Sequence, residues 1–216
     1  MISRVLLVAS FVVGLFFLNG CSQIPVKPSV AVNPVTPPPV SKENLWEQRQ
    51  QLLVNDVNWS LNSKVALRFR QDNWNFGLNW AQRAAQDYEM QITNPLTGGL
   101  VAKLSRNKFG VSLLSDDGKT YRDSDEERLL QRQAGIGLPL KGMQYWIRGL
   151  ASPIYKTEKL VLDNYGRPLS IQQAGWKIDY SRYLSNKSNA MPRKVIITRA
   201  KDNVYVKMIA KQWQGI

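Results

Sequence analysis

Few side chains in this sequence can do covalent chemistry. It holds one cysteine, Cys21, and no histidine. Without histidine there is no His-based triad, no imidazole general base and no imidazole metal ligand. A single thiol cannot form an intramolecular disulfide, and alone it leaves the common zinc sites out of reach. Carboxylates remain, in Asp116-Asp117 and Asp125-Glu126-Glu127. Paired carboxylates can divide general acid and general base roles. The first pair, however, stands before Gly118 and reads as a turn. The second opens a helical stretch, where negative charge suits the positive end of the helix dipole. Both read as structural. No nucleophile elbow, P-loop or dinucleotide fingerprint occurs. The expectation is a chain with no catalytic residues, no metal and no cofactor.

Cys21 gains meaning from what precedes it. Met1–Arg4 is short and carries one positive charge. Val5–Leu18 is apolar apart from Ser10 and Gly14. That run of 14 residues is short of the roughly 20 that cross a bilayer core. It has the form of a secretory signal peptide at 1–20. Gly20-Cys21 then resembles the lipobox of bacterial lipoproteins, although Asn19 stands where Ala, Ser or Thr is commoner. The resemblance implies that Cys21 is joined to diacylglycerol, becomes the new N-terminus and is acylated there. Lipidation also removes the liability of a free thiol in an oxidising compartment. Ser22 implies release to the outer membrane, because Asp at that position marks retention in the inner one.

Loss of residues 1–20 removes only Arg4 from the charged set, leaving 28 basic against 16 acidic residues. A surface this basic points to an anionic partner. For an exported chain the candidates are anionic lipid, lipopolysaccharide or an acidic periplasmic protein, and nucleic acid drops out. Solubility alone is the plainer reading.

The elements that would position such contacts follow. Residues 21–40 hold Pro25, Pro28, Pro34, Pro37, Pro38 and Pro39, the composition of a semi-extended tether. Ser41 offers a helix N-cap with Glu43 in the first turn, and a helix is expected to about Val54. One domain, 41–216, fills the rest. It is dominated by period-two alternation, the mark of half-buried strands. Apolar rows are Val65, Leu67 and Phe69; Trp74, Phe76, Leu78 and Trp80; Tyr88, Met90 and Ile92; Leu100, Ala102 and Leu104; and Phe109, Val111 and Leu113. Lys119–Arg122 adds a short strand. A helix capped by Asp123 or Ser124 runs to about Ala134, and a second leads from Leu140 to Arg148. Strands resume around Leu160, Ile171, Trp176–Tyr180, Val195–Ile197 and Val204–Ile209. The fold class expected is mainly β: an incomplete antiparallel barrel of about 11 strands with a short helical lid.

Several strings, in this order, resemble the LolB family of outer-membrane lipoprotein receptors. They are Ile92-Thr93-Asn94-Pro95-Leu96, Gly137-Leu138-Pro139-Leu140, Tyr145-Trp146-Ile147-Arg148-Gly149-Leu150, Trp176-Lys177-Ile178-Asp179-Tyr180, Ala190-Met191-Pro192 and Val206-Lys207-Met208. The resemblance implies an open barrel around an apolar cavity. It implies a protein that accepts lipoproteins from the periplasmic carrier LolA and inserts them into the inner leaflet of the outer membrane, making and breaking no bond. Partners would be LolA, the acyl chains of cargo and outer-membrane lipids, with the receptor a monomer, lipid-anchored and facing the periplasm of a Gram-negative bacterium. Leu96 takes the position of the residue that enters the membrane, on a loop with Pro95, Thr97 and Gly98. Thr97 is a departure, since the family often has Gly at once. Acyl-cavity candidates are Phe69, Trp74, Phe76, Leu78, Trp80, Met90, Ile92, Leu104, Val111, Leu113, Met143, Trp146 and Ile147, each read first as core. Lys64, Arg68 and Arg70, and Lys103, Arg106 and Lys108, could meet an acidic rim of the carrier or anionic lipid. Two alternatives share most of these features. A non-catalytic envelope lipoprotein that binds lipid or lipopolysaccharide needs no exposed Leu96. A lipid hydrolase is opposed by the missing histidine.

Overall fold

The computed structural model of the protein describes residues 40–215. The signal segment, Cys21 and all but the last residue of the proline-rich stretch lie outside the described residues.

Helix α1, Lys42–Val54, starts where its cap stands: the Ser41 hydroxyl accepts a hydrogen bond from Asn44 N at 3.1 Å. Eleven strands follow. They are β1 (Trp59–Phe69), β2 (Asp72–Ala84), β3 (Asp87–Thr93), β4 (Leu100–Asn107), β5 (Gly110–Ser115), β6 (Thr120–Asp123), β7 (Thr157–Leu162), β8 (Pro168–Gln173), β9 (Trp176–Tyr183), β10 (Pro192–Arg199) and β11 (Val204–Gln214). Between β6 and β7 come α2 (Glu126–Ala134) and α3 (Leu140–Trp146). All strand pairs are antiparallel, in the order β6-β5-β4-β3-β2-β1-β11-β10-β9-β8-β7. The first and last strands of the chain meet at the centre. Strands β6 and β7 are left as edges, so the sheet stays an open barrel.

Alternation puts one face of every central strand inward. In β1, Trp59, Leu61, Val65 and Leu67 are buried while Asn62, Lys64 and Arg68 are exposed. Ser63 takes an inward place and satisfies its hydroxyl on Leu78 O at 3.3 Å. That polar interruption is why the alternation shows only from Val65, although the strand begins at Trp59. Register aligns the apolar rows: Val65 lies opposite both Phe76 and Met208.

The strands have two unlike ends. One end, called closed here, carries the β2–β3, β4–β5, β7–β8 and β9–β10 connections, and α1 lies across it. Arg49 is the clamp. It is 2 % exposed, and its guanidinium donates to four carbonyls: Gly149 (3.1 Å), Arg148 (2.7 Å), Ala190 (2.9 Å) and Ser188 (2.5 Å). Burial lowers its pKa to about 10. Arg148, equally buried, donates to Leu53 O at 2.5 Å and lies over the Trp59 ring. Gly166, with φ of +68°, permits the close approach of the β7–β8 turn, since a Cβ there would stand 2.4 Å from Leu45 Cβ. At the opposite end lie the β1–β2, β3–β4, β5–β6, β8–β9 and β10–β11 connections.

Three local expectations are corrected. The α2 cap is Asp125, which accepts from Arg128 N at 2.9 Å. Asp123 still belongs to β6, and its carboxylate is taken by Arg128 and Arg132. Helix α3 ends at Trp146, and Gly149 with φ of +70° closes the turn after it. Phe109 is not inward: it is 85 % exposed in the β4–β5 turn, where its N donates to Asn107 Oδ1 at 2.9 Å.

Candidate functional site

The concave face of the sheet is not filled throughout. Beneath α2 and α3 lies a cavity of about 620 Å³. Its walls are aliphatic and aromatic: Val65 and Leu67 from β1, Met208 from β11, Leu130 from α2, Leu140 from α3. Polar groups such as Asn73, Asn75, Thr93 and Asn94 sit at the end where the β1–β2 and β3–β4 connections lie, which is the mouth. A site with this lining offers dispersion contacts and exclusion of water, and few directional bonds.

Ten of the thirteen cavity candidates line it: Trp74, Phe76, Leu78, Trp80, Met90, Ile92, Leu104, Leu113, Met143 and Ile147. Three do not. Phe69 stands at the wall of a separate surface depression beside the β1–β2 turn. Val111 is buried in β5, outside the cavity lining. Trp146 is wholly buried and turned to the other wing of the sheet. There its Nε1 donates to Gln173 Oε1 at 2.7 Å and its ring packs on Tyr155 and Trp176. Alternation assigns a face, and these three show that a residue can be on that face yet away from the void. Val65, Leu67, Leu130, Ile136, Leu138 and Val206 also line the cavity without having been singled out. They differ in nothing local from ordinary core residues, so only the third dimension finds them.

The lid is held at its N-terminal end. Glu126, 3 % exposed, pairs with Arg106 of β4 at 2.6 Å. Asp125 pairs with Lys141 at 2.7 Å, tying α2 to α3. The Arg128 guanidinium, with Arg132 beside it, holds the Asp123 carboxyl far below the usual carboxylate range. Bonding to Lys141 and to Arg128 N lowers Asp125 as well, while burial raises Glu127. These carboxylates are structural ties, as is Asp117, which bonds Ser115 and Lys119 in its turn. The opposite end of α2 leads through Ala134, Ile136 and Leu138 over the mouth. Arg106 is therefore an internal tie and presents no cation to a partner. Lys103 lies 3.9 Å from Glu89, and Lys108 sits over Phe109 at the closed end.

Beside the mouth stands the loop Asn94–Gly99. It is fixed by its own backbone: Asn94 N donates to Gly99 O at 2.8 Å, and Gly98 N to Asn94 O at 2.9 Å. The Asn94 side-chain oxygen accepts from Leu96 N (2.9 Å) and Thr97 N (3.2 Å). Thr97 does not break the turn, because its hydroxyl accepts from Gly99 N at 3.2 Å, and Gly98 takes a φ of +75°. Asn-Pro-X-X-Gly chemistry thus pins a loop with no core to hold it. Leu96 is left 94 % exposed. Leu100, Val101 and Trp74 around it are 45 %, 40 % and 39 % exposed, an apolar collar where a core protein would place polar residues.

Comparison with known proteins agrees with this geometry. Residues 57–213 match the family model described as outer membrane lipoprotein LolB. The Outer-membrane lipoprotein LolB of Alkalilimnicola ehrlichii is 29 % identical over 196 residues, covering 91 % of this chain and 90 % of that one. Its namesake in Pseudomonas putida strain GB-1 is 32 % identical over 170 residues, covering 78 % and 80 %. Among solved structures, a LolA superfamily protein from Nitrosomonas europaea shares the fold at a TM-score of 0.51 and 10 % identity, over 81 % of this chain and 93 % of that one. This chain belongs to the LolB family.

Proposed function

We propose that the protein is an outer-membrane lipoprotein, anchored through Cys21 and facing the periplasm. In this reading it accepts lipoproteins from the carrier LolA and inserts them into the inner leaflet of the outer membrane. The observation that carries the proposal is a juxtaposition: an apolar cavity opens at the same end of the sheet as the fully presented Leu96.

The energetics fit a carrier. Each acyl CH₂ gains about 0.8 kcal/mol on leaving water, so a dozen gain about 10 kcal/mol. Cargo therefore cannot cross the periplasm bare. The cavity walls replace that burial through dispersion and impose no bond that must be broken at release. Leu96 entering the hydrocarbon gains about 2 kcal/mol, enough to place the mouth against the leaflet. Acyl chains then pass from protein wall to lipid without returning to water. The step needs no nucleotide.

The test is a three-part transfer: labelled lipoprotein on LolA, this protein, and liposomes. The wild-type chain moves label to liposomes with the lipoprotein intact. Leu96→Glu, at a site with almost no packing, keeps stability within about 0.5 kcal/mol. It accepts label from LolA, and deposition falls at least about tenfold, the discrimination that 1.4 kcal/mol provides. Normal deposition by that variant refutes the insertion role.

A further inference from the structure

The mouth end carries charge as well as apolar groups. The β1–β2 turn, Phe69–Asp72, and the β10–β11 turn, Ala200–Asn203, are clipped to each other. Arg70 N donates to Asn203 O at 3.3 Å, and Asn203 Nδ2 donates back to Arg70 O at 3.2 Å. Both residues take left-handed backbone, φ +56° and +51°, so the two turns form one rigid tip. Three exposed cations gather there: Arg70 and Lys201 on the turns, and Arg68 at the adjoining end of β1. Among the described residues none of the three has an acidic partner within ion-pair distance. Arg68 lies over the Tyr205 ring at 5.1 Å, and Arg70 over Phe69 at 4.9 Å. The nearby acids are Asp202, which Arg199 engages at 3.2 Å, and exposed Asp72. The tip borders a depression lined by Phe69, Arg70, Arg199 and Lys201 that lies between the turns and the lid loop.

Position gives this cluster its meaning. Strand order β11-β1-β2-β3-β4 puts the paired turns next to the Leu96 loop. At about 4.8 Å per strand the β1–β2 turn is offset about 10 Å sideways from the β3–β4 loop, and because Thr93 lies opposite Gly77 while the turn closes at Phe69 and Asp72, it also stands farther along the strands. Cations beside an exposed aliphatic residue are the composition of an interfacial membrane contact. Guanidinium groups bind phosphate and carboxylate oxygens alike, so it is the exposed leucine beside the cations that favours lipid over an acidic protein surface.

We infer that the clipped turns, with Arg68, Arg70 and Lys201, are a cationic foot that binds the phosphates of anionic phospholipid while Leu96 enters the leaflet. This rests on reading Leu96 as the membrane-facing residue. It adds a partner chemistry, anionic lipid, and an orientation: two separate contacts set the tilt of the mouth against the leaflet, which Leu96 alone cannot do.

Binding of the mature chain with Cys21→Ser, so that no acyl group competes, is measured by co-sedimentation with vesicles. One set is phosphatidylcholine alone, the other has a quarter phosphatidylglycerol. Each cation near an anionic surface is worth about a fivefold gain. Phosphatidylglycerol should strengthen wild-type binding about 10- to 100-fold at low salt, and salt should erase the gain within the screening regime. The triple variant Arg68→Gln, Arg70→Gln, Lys201→Gln should lose the gain and keep the weaker binding to neutral vesicles. Arg70→Lys with the other two intact should keep most of it. Leu96→Gln, which adds no charge, should weaken binding to both vesicles alike, which separates failure of the loop reading from failure of this one. An undiminished gain in the triple variant overturns the foot. So does a triple variant that binds both vesicles normally but takes cargo from LolA more slowly, which assigns the cations to a protein partner.

Discussion

The two ends of the sheet are built by the same strands with the same alternation, yet one is filled and the other hollow. At the closed end Trp59, Trp80, Tyr88 and Trp213 converge, with ring centroids 5.4 to 5.9 Å apart along Trp59–Trp80, Trp59–Trp213 and Trp80–Tyr88. Two buried arginines spend their hydrogen bonds on carbonyls of three different segments. Four to eight residues along the same strands, Leu67, Trp74, Phe76 and Ile92 line the cavity. The wings differ similarly. Between β8 and β10 the concavity is occupied by Trp146 and the buried Gln173 network, whereas between β5 and β11 nothing fills it. A rigid end thus carries the fold, and the end that takes in and releases a lipid in the proposed function is relieved of that duty.

The strongest way to break this contrast is at the clamp. Arg49→Met removes donors to four carbonyls, three of them in buried bonds, and should cost about 3–5 kcal/mol, read as a lower urea midpoint. A loss below about 1 kcal/mol would mean that α1 is dispensable. Trp146→Ala should cost about the same, 3–5 kcal/mol, because a filled wing leaves a cavity where the indole was and Gln173 Oε1 loses one of its two donors. Filling the hollow is the sharper comparison. Ile92→Trp in a packed core would cost about 1–3 kcal/mol, but here the ring has space. Stability should change by less than about 1 kcal/mol, while uptake of a fluorescent fatty acid falls several-fold. A large destabilisation would show that the void is not there in solution.

The smallest effect concerns the lid. Asp123 and Asp125 have carboxyls lowered by their cationic partners. Their contribution is present above the ordinary carboxylate value and is lost as pH falls below it. Glu127, raised by burial, acts in the opposite sense over its own range. With two lowered groups against one raised, thermal stability should fall below about pH 4. Asp125→Asn should be less stable than wild type at neutral pH and show a flatter acid limb. An unchanged limb would dissociate the lid from these ties.

Much of the architecture was legible because it depends on neighbours in sequence. Period-two alternation placed the central strands, and Ser41 marked the start of α1. The misplacements have local causes. Ser63 hides the first half of β1 by taking an inward place on a hydrogen bond. Phe109 has the right parity but precedes Gly110, where the strand begins. Asp123 and Asp125 are two residues apart, and only tertiary pairing of Asp123 in β6 leaves the cap to Asp125.

The loop of Leu96 was readable for a related reason, since Asn94, Pro95 and Gly98 mark it locally. That Leu96 is presented from it was implied only by the likeness to the LolB family, and the tertiary structure leaves it 94 % exposed. Chain-local chemistry therefore determined the strands, the turns and the presence of that loop. Whether the inward faces enclose a core or a cavity was decided by the tertiary structure alone. Alternation specifies which side of the sheet a residue takes. Occupancy of that side depends on α2 and α3, on where Arg106, Lys141 and Gln173 tie them, and on Trp146 having gone to one wing rather than the other. With those at Arg49, such ties join residues up to 141 positions apart, beyond any pattern that spacing along the chain can carry.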